Sequence, residues 1–331
     1  MDGQALTPFE RIDSMPGMGI RHLAPAALVL VLIGSPIMGQ APADAAKGHS
    51  RDLSGIWNNS TITPLERPRE LATKPFFTAA EAGDFEKNAN RDLNRDRRDG
   101  PADADVARAY NEAWFDRGNK TVPSHRTSLI VDPPNGRIPA LTSSAQQAET
   151  MRAEALRRPA TGPEDRLIRE RCIVGDNAGP PLIPSPYNNN IQIVETPEYV
   201  TILTEMVHDV RVIPLDASPH PPQQVRQWLG DSRGHWEGNT LVVDTTNFNG
   251  KTHFRGADQN LHLTERFTRV SPDQILYQFT IDDPTAFISR WSGEVPMMRT
   301  EGPLFEYACH EGNYGMEGLL RGARAGEQAQ K

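Results

Sequence analysis

The sequence is poor in cysteine and in aromatic residues, and it has no excess of basic charge. Its 331 residues include two cysteines, 7% aromatic side chains, and 35 Lys and Arg against 43 Asp and Glu. The resulting net charge of -8 argues against a nucleic-acid partner, because a phosphate backbone needs a basic surface. Two distant cysteines also lack the C-x-x-C spacing of a structural zinc site.

The signatures of several enzyme classes are missing as well. No H-E-x-x-H, P-loop or G-x-G-x-x-G motif occurs. One G-x-S-x-G match, at 230–234, lies in a stretch that predicts a tight turn leading into a short strand, and not the strand–turn–helix of a serine nucleophile. These features argue against a serine nucleophile and against zincins, NTPases and dinucleotide enzymes, so we predict no cofactor. A metal held by His208, His253 and His310 is the alternative, although the spacing of these three residues is nonlocal.

Long apolar runs are absent apart from Leu23–Met38, which follows Arg21 and precedes small residues. A basic start, a short apolar run and a small-residue site are the order of a secretory signal peptide. The run is shorter than the roughly 20 residues of a spanning helix. We predict a signal peptide and leader over 1–46, a periplasmic or secreted mature chain, and no stable membrane insertion after cleavage. A retained membrane anchor is the alternative.

Cys172 and Cys309 are the only cysteines, and both lie in the predicted mature chain. Two cysteines in an exported protein commonly pair, so we predict a disulfide. Two buried free thiols are the alternative.

Proline (28) and glycine (26) are abundant, which predicts many turns and favours a β-rich chain over a helix bundle. We predict one domain over 47–323, with a helical insertion at about 78–171 and a disordered tail at 324–331. A capping box at Thr78 and Glu81 marks the first helix. The other expected elements of the insertion are two short helices (104–115 and 163–171), a hairpin (126–141) and a longer helix (144–157).

From Tyr187 onward, short alternating runs recur at roughly ten-residue spacing, each closed by a turn. This pattern predicts a mainly β fold, an antiparallel up-and-down barrel, and the missing βαβ alternation argues against a Rossmann-type fold. The expected strands are Ile191–Glu195, Tyr199–Val207, Arg211–Leu215, Thr240–Phe248, Leu261–Val270, Gln274–Asp282, Ser289–Val295 and Leu304–His310.

Alternation along a strand predicts which side chains point inward. The odd positions of Gln274–Asp282, which include Tyr277 and Phe279, are apolar and should face the interior. By the same count Glu265 lies on an apolar face, and so does His208 on an earlier strand. We therefore predict that His208 and Glu265 share the barrel interior, either as an acid–base pair or as a buried structural ion pair.

Polar residues on inward faces and at strand ends suggest a ligand cavity, since a barrel of about eight strands can hold one small molecule. We expect His208 or His310 as general base, Glu265 or Asp209 as its partner, and Tyr307 or Arg233 at a developing oxyanion. The candidate catalytic residues are His208, Glu265, His310, Asp209 and Tyr307. The candidate ligand-binding residues are Glu205, Asp231, Arg233, Trp236, His253, Tyr277 and Phe279.

Three stretches, 186–190, 227–238 and 307–314, resemble an uncharacterised family of exported bacterial proteins, and the resemblance extends from Leu53 to about Ala323. That family brings no assigned catalytic residues. The W-E-G-x-x-L pattern at Trp236 is similar to strands of lipocalin-like (calycin) barrels, which implies a barrel with one internal cavity.

Two functions are consistent with these features. The first is a cofactor-independent enzyme, of lyase, isomerase, cyclase or hydrolase type, acting on a small apolar or aromatic molecule. The second is a non-catalytic carrier or sensor of such a molecule. A site that groups ionisable residues within hydrogen-bond reach would favour the enzyme.

Overall fold

The computed structural model describes residues 51–108, 111–175, 178–309 and 311–329. The predicted signal peptide and the candidate base His310 lie outside these residues. Within the described ranges, no helix is both long and apolar enough to cross a membrane.

The described residues contain four α-helices: α1 (Ala79–Leu93), α2 (Ala102–Arg108), α3 (Ser143–Arg157) and α4 (Tyr314–Ala329). The capping box expected at the start of α1 is present, because the Thr78 hydroxyl accepts from the Glu81 amide and the Glu81 carboxylate accepts from the Thr78 amide. The segment after Pro163 forms only a short 3-10 turn. Helix α4 continues to Ala329, through most of the segment for which a disordered tail was predicted.

The fold is mainly β, with ten strands in one antiparallel sheet among the described residues. The strands are β1 (Gly55–Asn58), β2 (Ile130–Asp132), β3 (Asn190–Glu195), β4 (Tyr199–Thr204), β5 (Val210–Pro214), β6 (Asp231–Glu237), β7 (Thr240–Thr246), β8 (His262–Ser271), β9 (Gln274–Asp282) and β10 (Trp291–Thr300). Their order is β5-β4-β3-β1-β10-β9-β8-β7-β6, and β2 pairs with β10. The sheet is not a simple meander, because β1 inserts between β3 and β10.

The sheet is not closed, so the predicted up-and-down barrel is replaced by an open sheet. Its edges are β5 and β6, and no backbone ladder joins them among the described residues. The edges still approach each other closely at Gly234 of β6, which has no side chain. A β-carbon added there would lie only 2.8 Å from Cγ2 of Ile213 on β5. Pro214 of β5 has no amide hydrogen to donate, which suits an edge strand. We call the gap between β5 and β6 the seam.

Further local predictions differ from the structure. The hairpin expected over 126–141 does not form, since its first strand, β2, pairs with β10. In place of the helix expected over 104–115, α2 ends at Arg108 and a 3-10 turn covers Glu112–Trp114.

The segment Leu304–His310 forms no strand over its described residues, because both sides of β10 already carry partners and the segment is held by the Cys172–Cys309 bond instead. Conversely, β6 is not among the strands expected from the sequence, yet it pairs with β7 along its length.

The predicted inward face of β8 and β9 is confirmed. Tyr277 and Phe279 are 0% and 1% exposed, and Glu265 and Phe267 are fully buried. Aromatic rings fill this face, where Phe267 packs at 4.8 Å from Tyr277 and Tyr277 at 5.9 Å from Phe279 (ring centroids). The interior around these residues is therefore a packed core, and polar groups in it need partners of their own.

Candidate functional site

Glu265 lies in the packed core, where Arg211 of β5 neutralises it. The guanidinium binds both carboxylate oxygens, and its Nη2 lies 3.0 Å from Oε1. The Tyr277 hydroxyl donates to Oε1 at 2.9 Å and accepts from the Leu182 amide at 2.9 Å. Burial alone would lower the pKa of Arg211, but the adjacent carboxylate raises it. Burial, followed by the Glu265 charge, raises the pKa of Tyr277.

The predicted pairing of His208 with Glu265 is not found, because His208 is exposed and Glu265 is not. Strand β4 ends at Thr204, and a 3-10 turn over Met206–His208 follows it. Val207 and His208 there have φ angles of 60° and 45°. This left-handed backbone breaks the two-residue alternation on which the prediction relied.

A cavity of about 480 Å³ lies at the seam, lined by residues 173–174, 209–212 and 226–232. The lining joins the start of β5, the start of β6 and the loop before β6. Apolar side chains, among them Ile173, Trp228 and Leu229, stand beside the ionisable groups Asp209, Arg226 and Asp231. We call it the seam cavity.

Asp209, one of the candidate catalytic residues, lines the seam cavity and is half-buried. Its Oδ2 atom is buried and has no hydrogen-bond partner among the described residues. Burial raises the pKa of Asp209 to about 6, and the neighbouring His208 opposes this only in part. Such a carboxyl changes its protonation state near neutral pH, as a general acid or base must.

Asp231 opens a chain of hydrogen bonds that leads from the seam cavity to the surface. Its Oδ2 lies 2.7 Å from Nδ1 of His220, and Nε2 of His220 lies 2.8 Å from Oδ1 of Asp244. The other Asp244 oxygen binds Nε2 of His262, whose side chain is 48% exposed. The cavity and the solvent are thus linked by alternating carboxylates and imidazoles.

The Asp244–His262 contact shifts the pKa values of both residues. Burial opposes ionisation of Asp244, but the hydrogen bonds from His262 and His220 outweigh it and lower the pKa of Asp244. The hydrogen bond to Asp244 raises the pKa of His262 against partial desolvation. The pair therefore favours a carboxylate next to an imidazolium.

Other candidate residues lie apart from the seam cavity. Arg233 binds Asp231, with 2.8 Å between Nε and Oδ2, and places Nη1 2.6 Å from the Ser218 hydroxyl. The Arg51 guanidinium lies over the ring of Trp236, with 4.4 Å between its Cζ atom and the ring centroid. His253 lies at the surface beside a smaller cavity, where desolvation, followed by Arg152, lowers its pKa.

Glu205 and Tyr307 line a different and larger cavity, of about 650 Å³. Tyr277 and Phe279 belong to the core, which leaves their side chains no exposed surface with which to contact a ligand. The structure thus brings Asp209 and Asp231 together at the seam cavity and separates the other described candidates from it. Within the described ranges, no group of three or more His, Cys, Asp or Glu residues is arranged to hold a metal ion.

Sequence reasoning missed Arg211, His220, Asp244 and His262. A signal for Arg211 existed, since it alternates with Ile213 on β5 and therefore belongs to the inward face. Nothing local identifies His220, which lies in a proline-rich linker and meets Asp231 and Asp244 through the tertiary fold.

Cys172 and Cys309 form the predicted disulfide, with 5.7 Å between their Cα atoms. The bond fits an oxidising compartment. Comparison of the chain with protein-family models and with curated proteins finds no match.

Proposed function

We propose that the protein is a cofactor-independent enzyme that transfers protons on a small, partly apolar molecule bound in the seam cavity. The observation that carries the proposal is the Asp209 carboxyl, which lines the cavity with Oδ2 buried and unpartnered and with a pKa of about 6. A cavity-lining carboxyl with an unsatisfied oxygen and a perturbed pKa is a candidate functional group.

In this proposal the Asp209 carboxylate removes a proton from a carbon acid of the substrate. The electron pair of the broken C–H bond moves towards an electron-withdrawing oxygen, and the proton held on Asp209 returns to another atom, so that an isomerisation balances. Arg226 lines the same cavity and supplies positive charge near the developing oxyanion. The Asp231–His220–Asp244–His262 chain connects the cavity to solvent for proton exchange.

Ionisable and apolar walls together favour a substrate with one polar and one apolar end. Ile173, Trp228 and Leu229 supply the apolar walls of the seam cavity. Its volume of about 480 Å³ matches pockets that hold small molecules. A small aromatic or alicyclic carbonyl compound has this chemistry.

Solvent deuterium exchange tests the proposal directly. Small carbonyl compounds that raise the melting temperature of the protein would be incubated with it in D₂O, and deuterium at their acidic carbon would be followed by NMR. We expect exchange with the native protein and a loss of roughly 10²-fold or more in Asp209→Asn, with ligand binding retained. The matched control is Asp216→Asn, an exposed carboxylate outside the cavity. Equal exchange by native protein and Asp209→Asn would overturn the assignment of Asp209.

The second candidate function is a non-catalytic carrier, and the apolar part of the same cavity favours it. The deuterium experiment separates the two functions, because a carrier would bind the carbonyl compound and cause no exchange. If the carbonyl compounds stabilise the protein against heat and none of them exchanges deuterium, the protein is a carrier.

We further propose that the chain is exported and belongs to the exported bacterial family that it resembles, with the open sheet as a variant of a lipocalin-like barrel. The disulfide supports export. N-terminal sequencing of the exported protein should find a mature start between about residues 40 and 50, as the predicted cleavage site requires. A start at Met1 in that fraction would refute the signal peptide.

A further inference from the structure

The cavity of about 650 Å³ that contains Glu205 has an unusual lining, and we call it the aromatic cavity. Half of its ten described lining residues are aromatic, three are acidic, and none is basic. The aromatic members are Trp114, Phe115, Tyr187, Phe305 and Tyr307, the acidic members are Asp116, Glu205 and Glu306, and the others are Ala113 and Asn188. Its chemistry is therefore that of ring faces combined with negative charge.

Glu205 is the buried acid of this lining, at 3% exposure. The Phe305 amide donates to its Oε1 at 2.8 Å, and the described residues offer its side chain no ion pair. A buried carboxylate without a counter-charge is costly, and most such groups in proteins are paired. Among the described residues no basic side chain pairs with Glu205, and the aromatic cavity is the open space next to it.

The rings around Glu205 differ in what already covers them. Arg117 lies over Phe115, 4.1 Å from its ring centroid, so Phe115 is engaged with a cation of the chain itself. Trp114 and Phe305 are instead 68% and 66% exposed. Large rings left open at the mouth of a cavity are candidate binding surfaces.

We propose that the aromatic cavity binds a small organic cation with an ammonium group, with Glu205 as counter-charge and the Trp114, Phe305 and Tyr307 rings as walls. The negative ring faces attract a large, weakly hydrated cation, which is the basis of ammonium recognition in aromatic cages. A hard metal ion needs six or more oxygen ligands at close range, and the described residues nowhere gather three acidic, His or Cys side chains that could hold one. This site does not depend on the proposed function of the seam cavity.

A matched pair of probes tests the proposal. Choline carries a trimethylammonium group, and 3,3-dimethylbutan-1-ol has the same shape with a neutral carbon in place of nitrogen. Calorimetric titration at constant ionic strength should show choline binding at least roughly tenfold more tightly than the alcohol. Equal affinity for the two probes, or no choline binding in the millimolar range, would overturn the proposal.

Variants locate the binding. Trp114→Leu and Phe305→Leu change exposed rings, so the fold should persist while choline affinity falls by roughly threefold to thirtyfold. Tyr199→Leu is the control, since Tyr199 is 46% exposed and lies outside the cavity. Glu205→Gln should abolish the preference for choline over the alcohol. If Glu205→Gln fails to fold, Trp114→Leu and Phe305→Leu still test the site. An unchanged choline affinity in both variants would refute it.

Discussion

Arg211 on β5 and Glu265 on β8 form a buried, bidentate ion pair between strands that are not neighbours. Along the sheet, β4, β3, β1, β10 and β9 lie between them. The contact exists because the sheet curls until its two ends approach at the seam. The pair therefore ties the edge strand β5, next to Asp209, to the centre of the core.

Breaking this pair should destabilise the protein strongly. In Glu265→Gln the guanidinium stays buried without its counter-charge, so we expect the free energy of unfolding to fall by about 3–5 kcal/mol in urea denaturation. The control is Glu237→Gln, which removes the partner of Arg266 in an exposed, solvent-screened pair and should change the free energy of unfolding very little. An effect of Glu265→Gln as small as that of the control would contradict the structure.

Replacing both members together should cost less than replacing one. The double variant Arg211→Met/Glu265→Leu buries two apolar side chains and leaves no lone charge, so most of the lost stability should return. Tyr277 loses its acceptor in this variant, which limits the recovery by about 1–3 kcal/mol. A double-mutant cycle of the native protein, Arg211→Met, Glu265→Leu and the double variant measures the coupling by urea denaturation, and additive single effects would argue against a direct pair.

Asp209 should make the protein less stable as the pH rises. Because burial raises its pKa from 3.8 to about 6, the folded state holds the proton more tightly than the unfolded state. The stabilising contribution is complete below pH 3.8 and is lost as the pH rises through about 6. Solvent screening of this partly buried group reduces the effect, so Asp209→Asn should be more stable than the native protein by roughly 1–2 kcal/mol at about pH 8 and by little at about pH 4. Urea curves across this range measure the difference, and a pH-independent difference would contradict the burial of Asp209.

His262 should titrate above its ordinary pKa of 6.5 because of its hydrogen bond to Asp244. Its contribution to stability is present below pH 6.5 and is lost as the pH rises through the higher folded-state pKa. NMR titration of the imidazole should show the midpoint moving down in Asp244→Asn. His253 is the internal control, because the causes of its own lowered pKa do not include Asp244. An unmoved His262 midpoint would show that the contact is absent in solution.

The disulfide should contribute substantially to stability, since it joins residues 137 positions apart. Closing a long loop restricts the unfolded chain, and in the chain-entropy model a loop of this length is worth about 5 kcal/mol. We expect Cys172→Ser/Cys309→Ser to lose roughly 2–5 kcal/mol in urea denaturation. The native protein should show no alkylatable thiol without reductant, and two labelled cysteines in the folded, unreduced protein would contradict the bond.

Local sequence patterns predicted what local physics controls. The capping box at Thr78 needs only residues three apart, and the inward faces of β8 and β9 need only an uninterrupted alternation. The same alternation failed at His208, because the strand had already ended at Thr204 and two left-handed residues followed. A period of two carries information only while the chain stays extended.

The sequence by itself determined the mainly β class, the burial of Glu265 and the cysteine pair, because alternation, turn residues and cysteine number express these directly. Only the tertiary structure decided that Glu265 meets Arg211, that β5 and β6 remain open edges, and that Asp209 and Asp231 line one cavity. Those outcomes depend on strand order and on the curl of the sheet. Both are set by the packing of residues far apart in the chain, which no local period records.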